Sequence, residues 1–237
     1  MSLLHDVRGI LLDIEGTTTP IAFVHDVLFG YARDHVREFL AANAANEEVR
    51  ADIALLRDEH AVDVREGRNP PPFADEVATY VEWLIARDRK STGLKSLQGK
   101  IWRQGYLDGS LKSQVFADVA PAFERWREQG LSISIFSSGS VLAQQLLFAH
   151  TEAGDLTTFI DNYFDTTVGK KGEAESYRRI AEALNLPPAH ILFISDIVTE
   201  LDAANEAGMK PLLSLRPGNA PQPNGDQYPS IHTFDPL

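Results

Sequence analysis

Residues 7–19 read V-R-G-I-L-L-D-I-E-G-T-T-T, and the fold turns on how this stretch is read. The apolar run over residues 7–12 ends abruptly on the carboxylate of Asp13. Glu15 follows two positions later, then Gly16 and the threonines Thr17, Thr18 and Thr19. A short apolar run bounded by turn residues reads as a buried strand. An acid at its tip, with a turn beginning at once, stands where ligands collect in open parallel sheets, outside the carboxyl ends of the strands. Alone, Asp13 also reads as a turn former or helix N-cap. What weighs against that plainer reading is the company it keeps further along the chain.

Outward from this strand, residues 20–115 carry helical patterning and nothing that reads as a strand. Val24, Val27, Leu28 and Tyr31 sit at helical spacing, and Val36, Phe39 and Leu40 continue less regularly. Val49, Ile53 and Leu56 make a second stripe. Gly67 and the prolines at 70, 71 and 72 interrupt the chain. Phe73, Val77, Tyr80, Val81, Leu84 and Ile85 form the cleanest amphipathic stripe, and a further helix is expected over 94–107. From residue 116 the rhythm changes. Pro121 suits the start of a helix that stops before Gly130. Residues 131–136 form a strand leading to Ser137, and Ser140 caps a helix through His150. A weaker strand covers 163–167. A helix over 173–185, with Tyr177, Ile180, Ala181 and Leu184 inward, is halted by Pro187. A strand over 191–194 reaches Ser195 and Asp196, a helix over 199–207 ends at Gly208, and the last strand spans 211–215. The tail from Arg216, rich in Pro, Gly and Asn, reads as mostly loop.

Strands alternating with helices imply an α/β fold with a Rossmann-like parallel sheet. The helical block interrupts it, so the expected core is discontinuous: residues 1–19 and 116–237, with residues 20–115 as an inserted all-helical cap.

The chain has 237 residues, 43% hydrophobic, enough for a sizeable core. It has no cysteine, which excludes disulfides, thiolate metal sites and a cysteine nucleophile. No signal peptide or membrane-length apolar run is evident, so a soluble cytoplasmic protein is expected. A formal net charge of −12 argues against a nucleic-acid partner, and no membrane partner is expected. It also means that a site for an anionic substrate needs its own positive charge, from lysine or a metal ion.

Four places at one sheet edge now combine. The first strand offers Asp13 and Glu15, and the second offers Ser137, Ser138, Gly139 and Ser140. A later loop offers Lys170 and Lys171, and a fourth strand end offers Asp196 with Glu200 one helical turn on. Carboxylates suit a hard cation such as Mg²⁺. Hydroxyls and N–H groups at a helix start suit phosphate, and lysine adds a point charge. Asp13 is then free to act as a nucleophile through an acyl-phosphate. Singly, the serines read as caps, Lys171 as a solvated charge, Asp196 as a turn residue and Glu200 as a first-turn acid. Their common edge favours the joint reading.

These residues, in this order, resemble the motifs of the haloacid dehalogenase superfamily. Glu15 stands where that superfamily usually carries a second Asp. D-I-E-G-T-T at 13–18, S-S-G-S-V-L-A-Q-Q-L-L-F at 137–148, Y-F-D-T-T-V-G at 163–169, E-S-Y-R-R-I-A at 175–181 and R-P-G-N-A at 216–220 resemble the enolase-phosphatases of methionine salvage, as do F-V-H-D-V-L-F at 23–29 and Q-G-K-I-W at 98–102. The resemblance implies enolisation and dephosphorylation of 2,3-diketo-5-methylthiopentyl-1-phosphate to the acireductone 1,2-dihydroxy-3-keto-5-methylthiopentene, with Mg²⁺ as cofactor and a monomer as the form. It implies Mg²⁺ held by Asp13, Asp196 and the main-chain carbonyl of Glu15. Ser137 and Ser138 then hold substrate oxygens, Lys171 neutralises phosphate and orients Asp13, and Asp13 attacks phosphorus. Glu15 is assigned proton transfer in enolisation, dephosphorylation or both, with Gly139, Glu200 and His25 in support. Phe23, Val24, Trp83 and Trp102 are pocket candidates for the methylthio end, set against an ordinary role in the cap core.

Three other readings share these residues. A phosphatase for another small phosphate ester would act little on the diketone. A dehalogenase would resist EDTA. A non-enzymatic acyl-phosphate receiver would be phosphorylated without turnover, although the long insertion speaks for a sequestered substrate.

Overall fold

The computed structural model describes residues 3–73, 77–89 and 91–237. The first strand, β1 (Gly9–Leu12), is buried along its whole length. A strand apolar on both faces belongs in a sheet covered on both sides. It lies inside a six-stranded sheet of order β3-β2-β1-β4-β5-β6. Its partners are β2 (Ser132–Phe136), β3 (Asn162–Phe164), β4 (Ile191–Ser195), β5 (Lys210–Ser214) and β6 (Ser230–Ile231), and every pairing is parallel. Successive strands step from β1 toward β3, and the chain then returns to the other side of β1 for β4. The sheet's switch point therefore lies between β1 and β4, where open α/β sheets bind ligands.

The helices of this unit are α5 (Val119–Glu128), α6 (Val141–Ala149), α7 (Ala174–Ala183) and α8 (Val198–Glu206). Tyr177, Ile180, Val198 and Leu201 pack on Leu11, Phe136 and Phe193. A separate aromatic set joins Phe123 to Trp126 and Phe148, and Trp126 to Phe234, at centroid distances of 5.2–6.1 Å.

Two elements differ from the sequence expectation. The third strand stops at Phe164 instead of reaching 167, because the Asp165 carboxylate accepts the Thr167 N–H (2.8 Å) and hydroxyl (2.6 Å) and folds the chain into a turn. The tail after 215 is not all loop. Leu213 N–H donates to Pro229 O and Leu215 N–H to Ile231 O, which adds the two-residue β6 to the sheet edge. So short a strand, entered through a proline, has no alternation to betray it.

The chain divides into two compact units, Met1–Val24 with Lys112–Leu237, and His25–Leu111. The sheet unit takes in residues 112–115, where Ser113 N–H donates to His150 O and Ser113 O accepts from Glu152 N–H. A π-helical turn, Phe23–Leu28, runs directly into α1 (Phe29–Ala42), followed by α2 (Glu47–Arg65), α3 (Val77–Ile85) and α4 (Thr92–Asp108). Val36, Leu56, Tyr80, Val81, Leu84 and Leu97 are central to the core of this second unit. Val27, placed on the apolar stripe by its spacing, is 40% exposed, because the wide π turn shifts the helical phase. The stripe expected to begin at Phe73 is helical from Val77, and residues 74–76 lie outside the described residues. No described helix is long and apolar enough to cross a membrane.

Candidate active site

Register brings the site together. Leu12 pairs with Ile135 of β2 and Ile194 of β4, so Asp13, Ser137 and Asp196 emerge side by side from three adjacent strands. Asp13 and Asp196 are each only 5% exposed. Lys171 arrives from the loop before α7, and its ammonium lies 2.5 Å from Asp13 Oδ1 and 2.7 Å from a Glu200 carboxylate oxygen. Tyr177 anchors that loop by donating from its hydroxyl to Lys171 O (2.7 Å). Ser195, absent from the expected site residues, links the group further. Its hydroxyl lies 2.9 Å from Glu200 Oε2 and 3.3 Å from Asp13 Oδ2, and it accepts from Ile197 N–H. Its position before Asp196 was the available signal.

Three carboxylates, Asp13, Asp196 and Glu200, share one ammonium. Burial pushes the Asp196 carboxyl up to about 7, with the charges of Asp13 and Glu200 adding to it. Glu200 is likewise raised to about 7 by burial and then by Asp13, against the opposing pull of Lys171. Burial alone lowers the lysine's pKa, but Asp13 and Glu200 outweigh it and hold Lys171 protonated. The cluster carries more negative than positive charge in a buried place, and Asp13 and Asp196 within it are hard oxygen donors of the kind a divalent cation takes.

Gly16 lets the chain approach the Asp196 carboxylate closely. Its φ is +67°, and a methyl group there would lie 2.5 Å from Asp196 Oδ2. Glycine is thus required both by the turn and by the carboxylate next to it. Among the described residues no cluster of three or more His, Asp or Glu side chains is arranged to hold a metal. The expected set does not need one, since it combines two carboxylates with a main-chain carbonyl. Glu15 itself is half-buried in the turn, where it bridges to Thr19. Thr17, Thr18 and Thr19 N–H groups all point at Ile14 O, which tightens that turn.

On the other side of Asp13, Ser137 is buried and its hydroxyl accepts from Gly139 N–H (3.2 Å). Ser138 is half-buried. Ser140 caps α6 as expected, accepting from Ala143 N–H. Gln144 fixes this loop, donating to Gly139 O (2.9 Å) and Phe164 O (2.8 Å). Lys170 is exposed and pairs with Glu173 instead of joining the cluster. His25 belongs to the helical unit, where its exposed ring meets Phe29 edge-on at 5.3 Å. Trp83 stacks on Tyr80 beneath the Arg87 guanidinium, and Trp102 donates to Leu28 O (2.8 Å), so both tryptophans pack within the helical unit.

Comparison with known proteins agrees with this geometry. The family model described as haloacid dehalogenase-like hydrolase matches residues 7–208. A Synechococcus elongatus protein named enolase-phosphatase E1 is 56% identical over the full length of both chains. An Arabidopsis thaliana protein, named as a probable bifunctional methylthioribulose-1-phosphate dehydratase/enolase-phosphatase E1, is 46% identical over 97% of this chain and 48% of its own length. Among solved structures, the UTR4 protein of Saccharomyces cerevisiae superposes with a TM-score of 0.79 at 34% identity, covering 98% of this chain and all of its own.

Proposed function

Because this chain belongs to the haloacid dehalogenase-like hydrolases and, among them, to the enolase-phosphatases, we propose that it converts 2,3-diketo-5-methylthiopentyl-1-phosphate and water into acireductone and inorganic phosphate. The observation that carries this reading is the buried Asp13 carboxylate, held 2.5 Å from Lys171, with Glu15 two residues on in the adjoining turn.

In the first step Glu15 takes a proton from C1 of the substrate and the C2 carbonyl oxygen gains one, giving the enol phosphate with no change in composition. A carboxylate base needs reach and a suitable pKa. In the second step an Asp13 carboxylate oxygen attacks phosphorus. The bond from phosphorus to the C1 oxygen breaks, and the leaving oxygen gains a proton. Water then opens the aspartyl-phosphate, releasing phosphate and restoring Asp13. Lys171 orients the Asp13 carboxylate and neutralises phosphate, and Glu200 and Ser195 keep Lys171 and Asp13 in register. Ser137, Ser138 and the N–H groups where α6 begins hold phosphate oxygens.

Mg²⁺ fits the donor set of Asp13, Asp196 and the Glu15 carbonyl, with Gly16 allowing the turn to pass close to Asp196. When bound, it supplies positive charge to the phosphate and the developing enolate oxygen.

The test is to incubate protein and Mg²⁺ with the diketone phosphate and follow enol absorbance together with phosphate release. An enol signal followed by stoichiometric phosphate is expected, and EDTA should abolish phosphate release until Mg²⁺ is restored. Phosphate without an enol or acireductone signal would remove the enolase half of the assignment. Activity resistant to EDTA would remove the metal.

A further inference from the structure

Asp13 and Glu15 are near neighbours in sequence, yet different parts of the core hold them. The sheet and the charge cluster fix Asp13. Its N–H donates to Ile194 O (3.0 Å), and its carboxylate takes Lys171 Nζ (2.5 Å), Ile14 N–H (2.8 Å) and Ser195 Oγ (3.3 Å). The turn that carries Glu15 hangs from the chain at and beyond the end of β5. Asn219 Nδ2 donates to Gly16 O (2.9 Å) and Ser214 O (3.1 Å). Ser214 Oγ donates to the same Gly16 carbonyl (3.0 Å), and Arg216 Nε donates to Thr17 O (3.0 Å).

This anchor is itself rigid. Arg216 is 5% exposed and forms a two-point pair with Asp118 at 2.8–2.9 Å. It also donates to His232 O, with its guanidinium 4.6 Å from the Phe116 ring and 4.4 Å from that of Phe234. Asn219 completes the hold at a cost. Its amide points both N–H groups at main-chain carbonyls, which leaves Oδ1 buried without a hydrogen-bond partner. A buried acceptor left unmatched is unfavourable, and its retention calls for a reason. The Gly16 carbonyl gives one. Gly16 has no side chain, so besides its N–H on Thr19 O the two donors to its oxygen act directly on how the adjoining Glu15 is presented.

We propose that Asn219 is a positioning residue for Glu15: its amide fixes the Gly16 carbonyl in the turn that carries Glu15, while the Asp13 carboxylate is held by Lys171, Ile14 N–H and Ser195. The inference rests on the proton-transfer role given to Glu15 above. Thr18 Oγ1 also reaches Asp13 O (3.3 Å), but the holds on the Asp13 carboxylate lie outside the turn, so the placement of Glu15 can be disturbed without moving that carboxylate.

The test compares wild type with Asn219→Ala and Asn219→Asp by crystallography and by steady-state turnover of the diketone phosphate at saturating Mg²⁺. The turn over residues 14–19 should shift about Gly16, with Asp13, Lys171 and Ser195 superposing on wild type. The kcat should fall roughly 10-fold or more with KM changed less than about threefold, as expected for a supporting contact that orients a reacting group. Ser214→Ala, which removes the other donor to the same carbonyl, should shift the turn less and lower kcat by a smaller factor. It also serves if the Asn219 variants do not fold. An unmoved turn, an Asp13 displaced along with it, or a kcat within about twofold of wild type in the Asn219 variants overturns the proposal. If wild type itself does not turn over the diketone phosphate, the functional reading fails, and the crystal comparison still decides whether Asn219 holds the turn.

Discussion

At the scale of single residues, Lys171 bears the largest electrostatic burden. Its removal leaves Asp13 and Glu200 facing each other in a buried place with Asp196 close by. Lys171→Met should therefore abolish phosphate release and also destabilise the fold, by about 3 kcal/mol if the usual cost of breaking a buried pair applies. Urea unfolding beside a phosphate assay separates the two effects, and unchanged stability would show that the carboxylates relax by taking up protons. Asp13, Glu15, Ser137, Lys171 and Asp196 stand out as candidates in the sequence because each lies at a strand end or in a short loop, next to an apolar run that marks the edge. Ser195 and Asn219 were harder to see. Asn219 meets Gly16 across 203 residues of sequence, through an amide whose partners are main-chain carbonyls. Such a contact leaves no periodicity and no residue type of its own.

At the scale of elements, the connections in the helical unit are fastened by one buried acid. Asp63, in the last turn of α2, accepts hydrogen bonds from Arg68 (2.6 Å), Tyr80 (2.8 Å) and Arg89 (3.0 Å). It thereby ties the connections before and after α3 to the end of α2. Burial alone would raise its pKa, but the hydrogen bonds from Arg68, Tyr80 and Arg89 outweigh it and hold the carboxyl below its ordinary value. A depressed folded-state pKa contributes stability that is present above the unfolded pKa of about 4 and is lost as pH falls through the folded value. Circular-dichroism melts over the acid range should show that loss. Asp63→Asn should melt several degrees lower near neutrality and show a flatter acid limb; an unchanged acid limb would sink this account. The helices themselves were legible from their stripes. The π turn at Phe23–Leu28 was not, because five-residue hydrogen bonding has no sequence period distinct from the α-helix over so few residues.

At the scale of the whole molecule, the net charge of −12 opposes a phosphorylated substrate at long range, while Lys171 and the proposed metal attract it only at close range. Salt screens the first effect more than the second. Raising NaCl from low to physiological strength at saturating Mg²⁺ should leave kcat unchanged and raise kcat/KM modestly, by roughly twofold. A steep fall in kcat/KM would mean that the site's own field dominates encounter. The sheet order was not readable in full, since β6 is two residues long and parallel pairing joins segments far apart in sequence. That same separation has a consequence for synthesis. Ser214, Arg216 and Asn219, which grip the turn after Asp13, are translated about 200 residues after it. Until they are made, the turn is held by its own bonds to Ile14 O and by Phe116 N–H on Thr18 O. On the reading proposed above, a nascent chain gains the full support of Glu15 only when the segment after β5 has been made.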